Sequence, residues 1–294
     1  MISLLSYLCN GISLGSVYAI IALGYTMVYG IAKMLNFAHG DVIMIGAYVT
    51  FCCMNYLGLP PYVAILAAVV VCALLGVVIE RLAYKPLRQA SSLAVLITAI
   101  GMSYLLQNSA LLLWGSNPKI FPAVVNLGMV SLFGGRLQIS GNTVLTVAVS
   151  VVIMVALTLF TDKTKMGKAM RGVAEDKGAA ELMGINVNVT ISITFAIGSA
   201  LAAIAGVLLC TAYPTLTPTT GSMPGIKAFT AAVFGGIGSI PGALVGGFLI
   251  GLCETFIKGS AYSEFSDVFT FVVLILVLLV RPTGLFGEKL KEKV

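Results

Sequence analysis

Apolar residues run in long blocks along this chain, and Pro, Gly and charged residues interrupt them at only a few places. A hydrocarbon layer about 30 Å thick needs roughly 20 apolar residues per crossing helix, and stretches of that kind recur from end to end. The pattern predicts crossings over 9–31, 41–58, 62–80, 92–114, 142–161, 190–212 and 265–280. Leu59-Pro60-Pro61 turns the chain between the second and third. Trp114 ends the fourth, a natural place for an interfacial anchor. Residues 115–141 contain Asn117-Pro118 and Gly134-Gly135 and read as a loop. The short alternating segments of a membrane β-barrel are not seen.

The stretch after 212 departs from this rhythm. Residues 213–225 are rich in Pro, Thr and Gly, 226–235 are apolar for only half a span, and GGIGSIPG (Gly235–Gly242) precedes a further apolar run at 243–257. The parity of crossings is kept if 226–235 is a half-helix that dips in and 243–257 leaves again. The expected architecture is therefore all-α: a polytopic transmembrane helical bundle of about seven full spans plus one broken, re-entrant half-helix, in a single domain over 1–294. A second interruption, Leu35–Asp41, stands between 9–31 and 41–58 in the same way. Paired interruptions in two halves point to the transport site of repeat-built transporters, although the internal similarity that would define a two-half repeat is weak.

Composition supports the membrane reading. Hydrophobic residues make up 59% of the 294 and charged residues 10%, with a mean hydropathy of +1.05. Soluble domains carry about 25% charged residues, far more than this chain has for a water-facing coat. The net charge of +6 is a topology signal rather than a nucleic-acid footprint, because thirteen of the seventeen basic residues lie in four places. These are Lys33; Arg81, Lys85 and Arg88; Lys163, Lys165, Lys168, Arg171 and Lys177; and Arg281, Lys289, Lys291 and Lys293. Lys119, Arg136, Lys227 and Lys258 are scattered. The positive-inside rule puts the four clusters in the cytoplasm, with the C-terminus inside and the N-terminus outside. The opening MISLLSYLCN lacks the basic n-region of a secretory signal and is expected to remain in the mature protein. The six cysteines (Cys9, Cys52, Cys53, Cys72, Cys210 and Cys253) sit in apolar stretches without ligand-like spacing and read as small hydrophobes.

Candidate chemistry is sparse. Gly11/Gly15, Gly198/Ala202/Gly206, Gly242/Gly246 and Gly247/Gly251 are small-xxx-small pairs that permit close helix approach. The cluster Gly235, Gly236, Gly238, Ser239 and Gly242, with Pro241, exceeds what packing requires, and a helix break at membrane depth must be buried in protein or line a wet cavity. Polar groups inside spans are functional candidates by default. Asp41 and Glu254 are singled out among the acids within or beside the spans, and His39 is the one histidine. Asn36, His39 and Asp41 either line a path or cap a helix, Asp41 standing just ahead of an apolar run. One His and one Asp make a poor metal set, so neither metal nor cofactor is expected, and no catalytic group is assigned. Glu254 reads as a surface partner of Lys258 at i, i+4.

The charged segment of about 162–189 carries a helical pattern of its own. Met170, Val173, Ala174, Ala180, Leu182, Met183 and Ile185 form one apolar face, with Glu175, Asp176, Lys177 and Glu181 mostly opposite and Gly184 as a stop. Such a helix either docks in a partner's groove or lies on the membrane surface. The chain has no G-x-x-x-x-G-K-[ST] phosphate loop, so ATP-driven work would need energy from another polypeptide. Two other classes compete with a passive-subunit reading. An ion-coupled secondary transporter would rest on Asp41 and His39, and a membrane hydrolase or acyltransferase on Lys227 near Ser222; both are thin sets.

The segment 162–189 resembles the coupling loop of ABC-importer permeases, through Ala174, Glu175, Asp176, Ala179, Ala180, Gly184 and Ile185. LNFAHGDVIMIGAY (Leu35–Tyr48), GIKAFTAAVFGGIGSIPGALVGG (Gly225–Gly247) and VRPTGLFG (Val280–Gly287) are similar to signatures of the branched-chain amino-acid permeases of the LivH type. Four motifs in order cover nearly the whole chain. The resemblance implies a five-part importer in a bacterial inner membrane. This subunit would pair with a LivM-like permease, two cytoplasmic ATPases would dock on the coupling segment, and an extracytoplasmic binding protein would deliver leucine, isoleucine or valine. It also implies a urea or short-amide importer as the alternative within the class.

Overall fold

The computed structural model describes residues 2–125, 127–132, 137–281 and 283–287. Gly134, Gly135, Arg136 and the tail residues Lys289, Lys291 and Lys293, all used in the sequence reading, lie outside the described residues. The chain forms α1 (Ile2–Ala32), α2 (His39–Asn55), α3 (Pro61–Ile79), α4 (Ser92–Trp114), α5 (Gly141–Lys163), α6 (Lys165–Glu175), α7 (Lys177–Leu182), α8 (Val187–Ala212), α9 (Ser222–Gly235), α10 (Ile240–Lys258) and α11 (Ser266–Val280). A wide helical turn at Glu80–Tyr84 and a tight one at Lys85–Leu87 prolong α3. Among the described residues four short strands complete it: β1 (Lys119–Ile120) pairs antiparallel with β4 (Thr215–Leu216), and β2 (Met129–Leu132) with β3 (Leu137–Ser140). Boundaries follow local chemistry. Ser91, Ser140, Thr164, Asp176, Asn186 and Ser239 each accept a backbone N–H of the helix that follows, which satisfies donors the helix itself cannot.

Seven helices among the described residues are long and apolar enough to cross a membrane: Leu4–Ala32, Pro61–Leu87, Ser92–Trp114, Gly141–Lys163, Val187–Ala212, Ile240–Lys258 and Ser263–Val280. The number expected from hydropathy holds, but the membership changes. The run at 41–58 gives a 17-residue helix, α2, while 243–257 extends back to Ile240 and becomes the 19-residue α10. Trp114, the last residue of α4, stacks on Tyr48 with ring centroids 4.3 Å apart and donates to Cys52 Sγ.

α1 is the axis of the bundle, buried without interruption from Leu14 to Val28, and α8 packs beside it. α3, α4, α5 and α11 lie outside and turn large apolar side chains outward, among them Leu66, Leu74, Leu112, Val152 and Leu279. A soluble monomer rarely exposes such a belt; in lipid it is the expected coat.

Helices in hydrocarbon gain little from burying apolar surface and associate through close packing of small residues. The small-xxx-small pairs make these contacts. α1 runs antiparallel to α10, and a Cβ added at Gly15 would stand 2.8 Å from Phe248 Cα, one at Gly247 2.5 Å from Ala19 Cα. A Cβ at Gly46 of α2 would reach 2.6 Å from Ala203 Cα of α8. Gly247→Val should therefore force α1 and α10 apart and cost about 3 kcal/mol. Gly101, with no atom within 4 Å of an added Cβ, should take Ala with a change within about 0.5 kcal/mol. Thermal unfolding of the two variants in one detergent would check the difference, and equal midpoints would refute the packing argument.

Candidate functional site

Two interruptions of helix geometry organise the interior. At the first, α1 stops at Ala32, Lys33 takes a left-handed φ of 58°, and the chain resumes helix at His39. The freed carbonyls find partners. Ala32 O accepts from Lys177 Nζ at 3.4 Å, and Tyr84 Oη donates to Leu35 O at 3.4 Å and to Asn36 Oδ1 at 3.0 Å. His39 folds back against α1, its imidazole 2.5 Å from where a Gly24 Cβ would stand and its ring centroid 4.6 Å from that of Tyr25. Gly24 precedes the end of α1 by eight residues, about 12 Å at 1.5 Å per residue. Residues 33–38 thus return into the bundle, and α2 starts at depth.

Asn36, His39 and Asp41 separate here. Asn36 is held by Tyr84, His39 packs on α1, and Asp41 turns to α4. Asp41 does stand in the first turn of α2, but that helix start has no side-chain cap. Its Oδ1 accepts instead from Gln107 Nε2 at 2.9 Å, and the same nitrogen lies 3.2 Å from Ser103 Oγ and 3.3 Å from Ser222 Oγ. Ser222 opens α9, whose start also lacks a side-chain cap. Glycines bring the two starts together: a Cβ at Gly40 would be 2.8 Å from Gly221 O, and one at Gly225 2.9 Å from Gly40 Cα. Ser103 and Gln107 escaped the sequence reading, which surveyed acids and histidine. The available signal was an amide inside the apolar run of α4.

The second interruption, Gly235–Gly242, joins α9 to α10. Gly236 and Gly238 have φ of 107° and 103°, values that only glycine takes without strain. Ser239 accepts from Gly242 N at 3.2 Å and starts α10. The segment after α11 closes the turn from outside: Leu285 N donates to Phe234 O at 3.0 Å and Phe286 N to Gly235 O at 2.9 Å. Two of the motifs singled out in the sequence therefore dock on one another. The turn stands beside Gly30, close to the end of α1, where a Gly30 Cβ would be 3.3 Å from Gly238 Cα. Asn36 and Ile237 line one crevice with Tyr25, Tyr29 and Phe229, so the two interruptions are neighbours.

Segment 162–189 differs from the single amphipathic helix expected. It forms two helices, α6 and α7, separated at Asp176, whose φ of −155° and ψ of 114° are extended and whose carboxylate accepts from Ala179 N at 3.0 Å. The predicted apolar face splits accordingly. Met170, Val173 and Ala180 are buried, with Ala174 and Ile185 packed against the core, while Leu182 and Met183 are 90% and 82% exposed. Competition between the N-cap at Asp176 and helix continuation decides this. Gly184, at φ 81°, ends α7 as anticipated. Lys177 ties α7 to the end of α1, and burial together with Arg88 and Lys33 pushes its ammonium below the usual lysine range.

Two buried carboxylates hold the bundle near its opposite ends. The expectation that Glu254 makes a surface pair with Lys258 is corrected. That contact exists at 2.6 Å, but Glu254 is fully buried and also accepts from Lys227 Nζ at 2.7 Å and Tyr18 Oη at 2.8 Å. Lys227 continues to Asp267 at 2.5 Å. At the other end Glu80, the last residue of the predicted 62–80 crossing and not among the candidates singled out there, is buried, paired with Arg88, and accepts from Ser192 Oγ at 2.7 Å. Beside Lys258 lies a cavity of about 600 Å³ bordered by Asn10, Ser13, Asn142, Thr146 and Thr211.

The family model described as branched-chain amino acid transport system / permease component matches residues 7–278. The chain is 46% identical to the high-affinity branched-chain amino acid transport system permease protein BraD of Pseudomonas aeruginosa, over 99% of this chain and 98% of the relative. It is likewise 46% identical to LivH of Escherichia coli, a protein of the same description, over 99% and 97%. Among solved structures it is similar to PsaBC from Streptococcus pneumoniae in complex with Fab, at 15% identity and a TM-score of 0.51, covering 94% of this chain and 92% of that one. That likeness concerns the fold alone.

The Glu254 network yields a prediction. Leaving a buried charge wholly unpaired costs about 3–5 kcal/mol; without Lys227, Glu254 keeps only Lys258 and Tyr18 and Asp267 loses its lysine, so the loss stays below that figure. Lys227→Met should lower the thermal midpoint in detergent sharply, and Lys227→Met combined with Glu254→Gln should restore a large part of the loss. If the double variant is no more stable than the single, the network is not what holds α9 to α10.

Proposed function

The chain belongs to the family of branched-chain amino acid transport system permease components, and on that premise we propose that it is the membrane-spanning permease subunit of an ATP-binding-cassette importer for leucine, isoleucine and valine. It is a multi-pass membrane protein, a transport subunit rather than an enzyme, and ATP hydrolysis belongs to other polypeptides. The observation that carries the proposal is the match over 7–278 together with near-complete coverage of permease relatives.

The geometry supplies a mechanism for that reading. α6 and α7 stand at the end of the bundle that gathers Lys33, Arg88, Lys163, Lys165, Lys168, Arg171 and Lys177, which the positive-inside rule assigns to the cytoplasm. The exposed Leu182 and Met183, with Glu175, Asp176 and Ala179 at the bend, form an apolar tip rimmed by charge, suited to a groove on an ATPase. Ala180 and Ile185 fasten the tip from beneath, where Ile185 N donates to Ala180 O at 3.0 Å. Lys177 then links it to the carbonyl end of α1, next to the Asn36–Asp41 interruption. A pull on the tip would reach the start of α2 by way of Ala32 and residues 33–38. A second, LivM-like permease would complete the pathway, two ATPases would drive it, and a binding protein would deliver solute at the opposite, N-terminal end. The hydroxyl- and amide-lined cavity there fits a receiving mouth.

Leu182→Asp with Met183→Asp should leave the chain inserted and folded but strip the ATPases from the assembly purified out of its native membrane. ATP-driven leucine uptake in proteoliposomes should fall with them. A chain that purifies alone and moves leucine without ATP would overturn the proposal in favour of an ion-coupled carrier.

A further inference from the structure

Gln107 Nε2 is surrounded by three oxygen acceptors from three different helices: Asp41 Oδ1 of α2 at 2.9 Å, Ser103 Oγ of α4 at 3.2 Å and Ser222 Oγ of α9 at 3.3 Å. A carboxamide nitrogen carries two hydrogens, whereas an ammonium carries three. The set is thus one acceptor richer than its occupant needs, and one of the acceptors bears a full negative charge. Asp41 is 2% exposed, and none of the ion pairs among the described residues includes it. The other two fully buried carboxylates, Glu80 and Glu254, each have a cation. A buried carboxylate answered only by neutral groups is costly, and polar residues at membrane depth persist where they serve a transported species.

We propose that Asp41, Ser103 and Ser222 form a seat for a primary ammonium group, which Gln107 occupies in this conformation as a place-holder. This rests on the permease reading, in which the ammonium is that of the transported amino acid. The seat's position suits the role. It lies where the starts of α2 and α9 cross at Gly40, Gly221 and Gly225, so movement of either short helix relative to α4 would open or close it. Gln107, Ser103 and Ser222 are only half-buried, and Tyr104, Asn108, Met223 and Ile226 beside them are exposed on the surface of the bundle. On the permease reading this face meets the second permease rather than lipid, so a solute can approach along it, its ammonium displacing the amide and its aliphatic side chain left among apolar groups. One other source of the same chemistry is the amine headgroup of phosphatidylethanolamine reaching the seat from the bilayer.

The test uses the assembled importer, purified and then reconstituted in phosphatidylcholine liposomes with its binding protein. Wild-type leucine uptake is the first measurement, since its absence refutes the amino-acid reading itself and with it the source proposed here. Given uptake, Asp41→Asn should reduce it at least roughly tenfold, the equivalent of losing one charged contact. Ser103→Ala with Ser222→Ala, which removes two hydroxyls, that of Ser103 also a partner of the Asp41 carboxylate, but keeps the charge itself, should reduce it as well. A readout that a purely structural carboxylate would not move is thermal stabilisation of the detergent-solubilised complex by millimolar isoamylamine. Wild type should be stabilised, Gln107→Ala more so because the seat is vacated, and Asp41→Asn not at all, while isocaproate stabilises none of them. Uptake by Asp41→Asn within twofold of wild type, or an amine response equal in all three proteins, would overturn the seat. Should Asp41→Asn fail to purify, the serine double variant and Gln107→Ala decide the matter on the same two readouts. If stabilisation follows added phosphatidylethanolamine and leucine uptake ignores both variants, the seat belongs to a lipid amine and the substrate assignment falls.

Discussion

Inside hydrocarbon, every backbone N–H and C=O must be satisfied by the protein itself, since no water is at hand to take a missing partner's place. Straight helices meet this demand automatically, and most of this bundle consists of them. The two places where helix geometry fails are where the rest of the molecule is recruited. The carbonyls freed after α1 are met by Lys177 from α7 and by Tyr84 from the extension of α3. Those freed after α9 are met by backbone N–H groups of the segment following α11. Elements distant in sequence are thus drawn to two neighbouring points. The segments that look like appendages, the extension after α3, the α6–α7 pair and residues 283–287, are structural partners of the breaks.

Charge obeys a related economy. Glu254 collects Lys227, Lys258 and Tyr18, and Asp267 balances the second lysine, so four ionised groups near one end of the bundle sum to zero. Glu80 with Arg88 does the same near the other. These pairs bolt α9, α10 and α11 together, and α3 to α8 through Ser192. Asp41 stands apart, with an amide and hydroxyls about it. That contrast, rather than any property of the aspartate alone, separates the residues that fasten the fold from those available to a passing solute.

Much of the architecture was legible in the hydropathy, because span length and loop chemistry are local properties. The runs at 92–114 and 190–212 became α4 and α8 nearly unchanged, and the glycine pairs found their crossings because small-xxx-small spacing needs no knowledge of the partner. What failed was non-local. Nothing in the order of residues says that Glu254 meets Tyr18, 236 positions earlier, or that Gln107 reaches both Asp41 and Ser222. The division of 165–182 into two helices was hidden for a different reason. The apolar spacing continues across Asp176, and only the side chain's capture of Ala179 N turns a favourable helix residue pattern into a bend. Asn36, His39 and Asp41, grouped by proximity in the chain, were dispersed because successive residues at a helix start point in different directions.

The dispersal has a mechanical consequence. Residues two or three apart at one interruption, Asn36, His39 and Asp41, each engage a different element: Tyr84 beyond α3, Gly24 and Tyr25 of α1, and Gln107 of α4. A displacement of segment 33–38 cannot therefore be absorbed by one soft contact. It must break the Tyr84 hydrogen bond, slide His39 along the glycine notch of α1, or carry Asp41 away from Gln107. The notch is the stiffest of the three, since Gly24 leaves no space for a methyl group beside the imidazole, whereas the amide of Gln107 ends a flexible side chain. On the proposed reading, work delivered at α7 enters this segment through Lys177 and leaves it at the least rigid contact. That contact is the one between Asp41 and Gln107, so the seat opens when the coupling helices move.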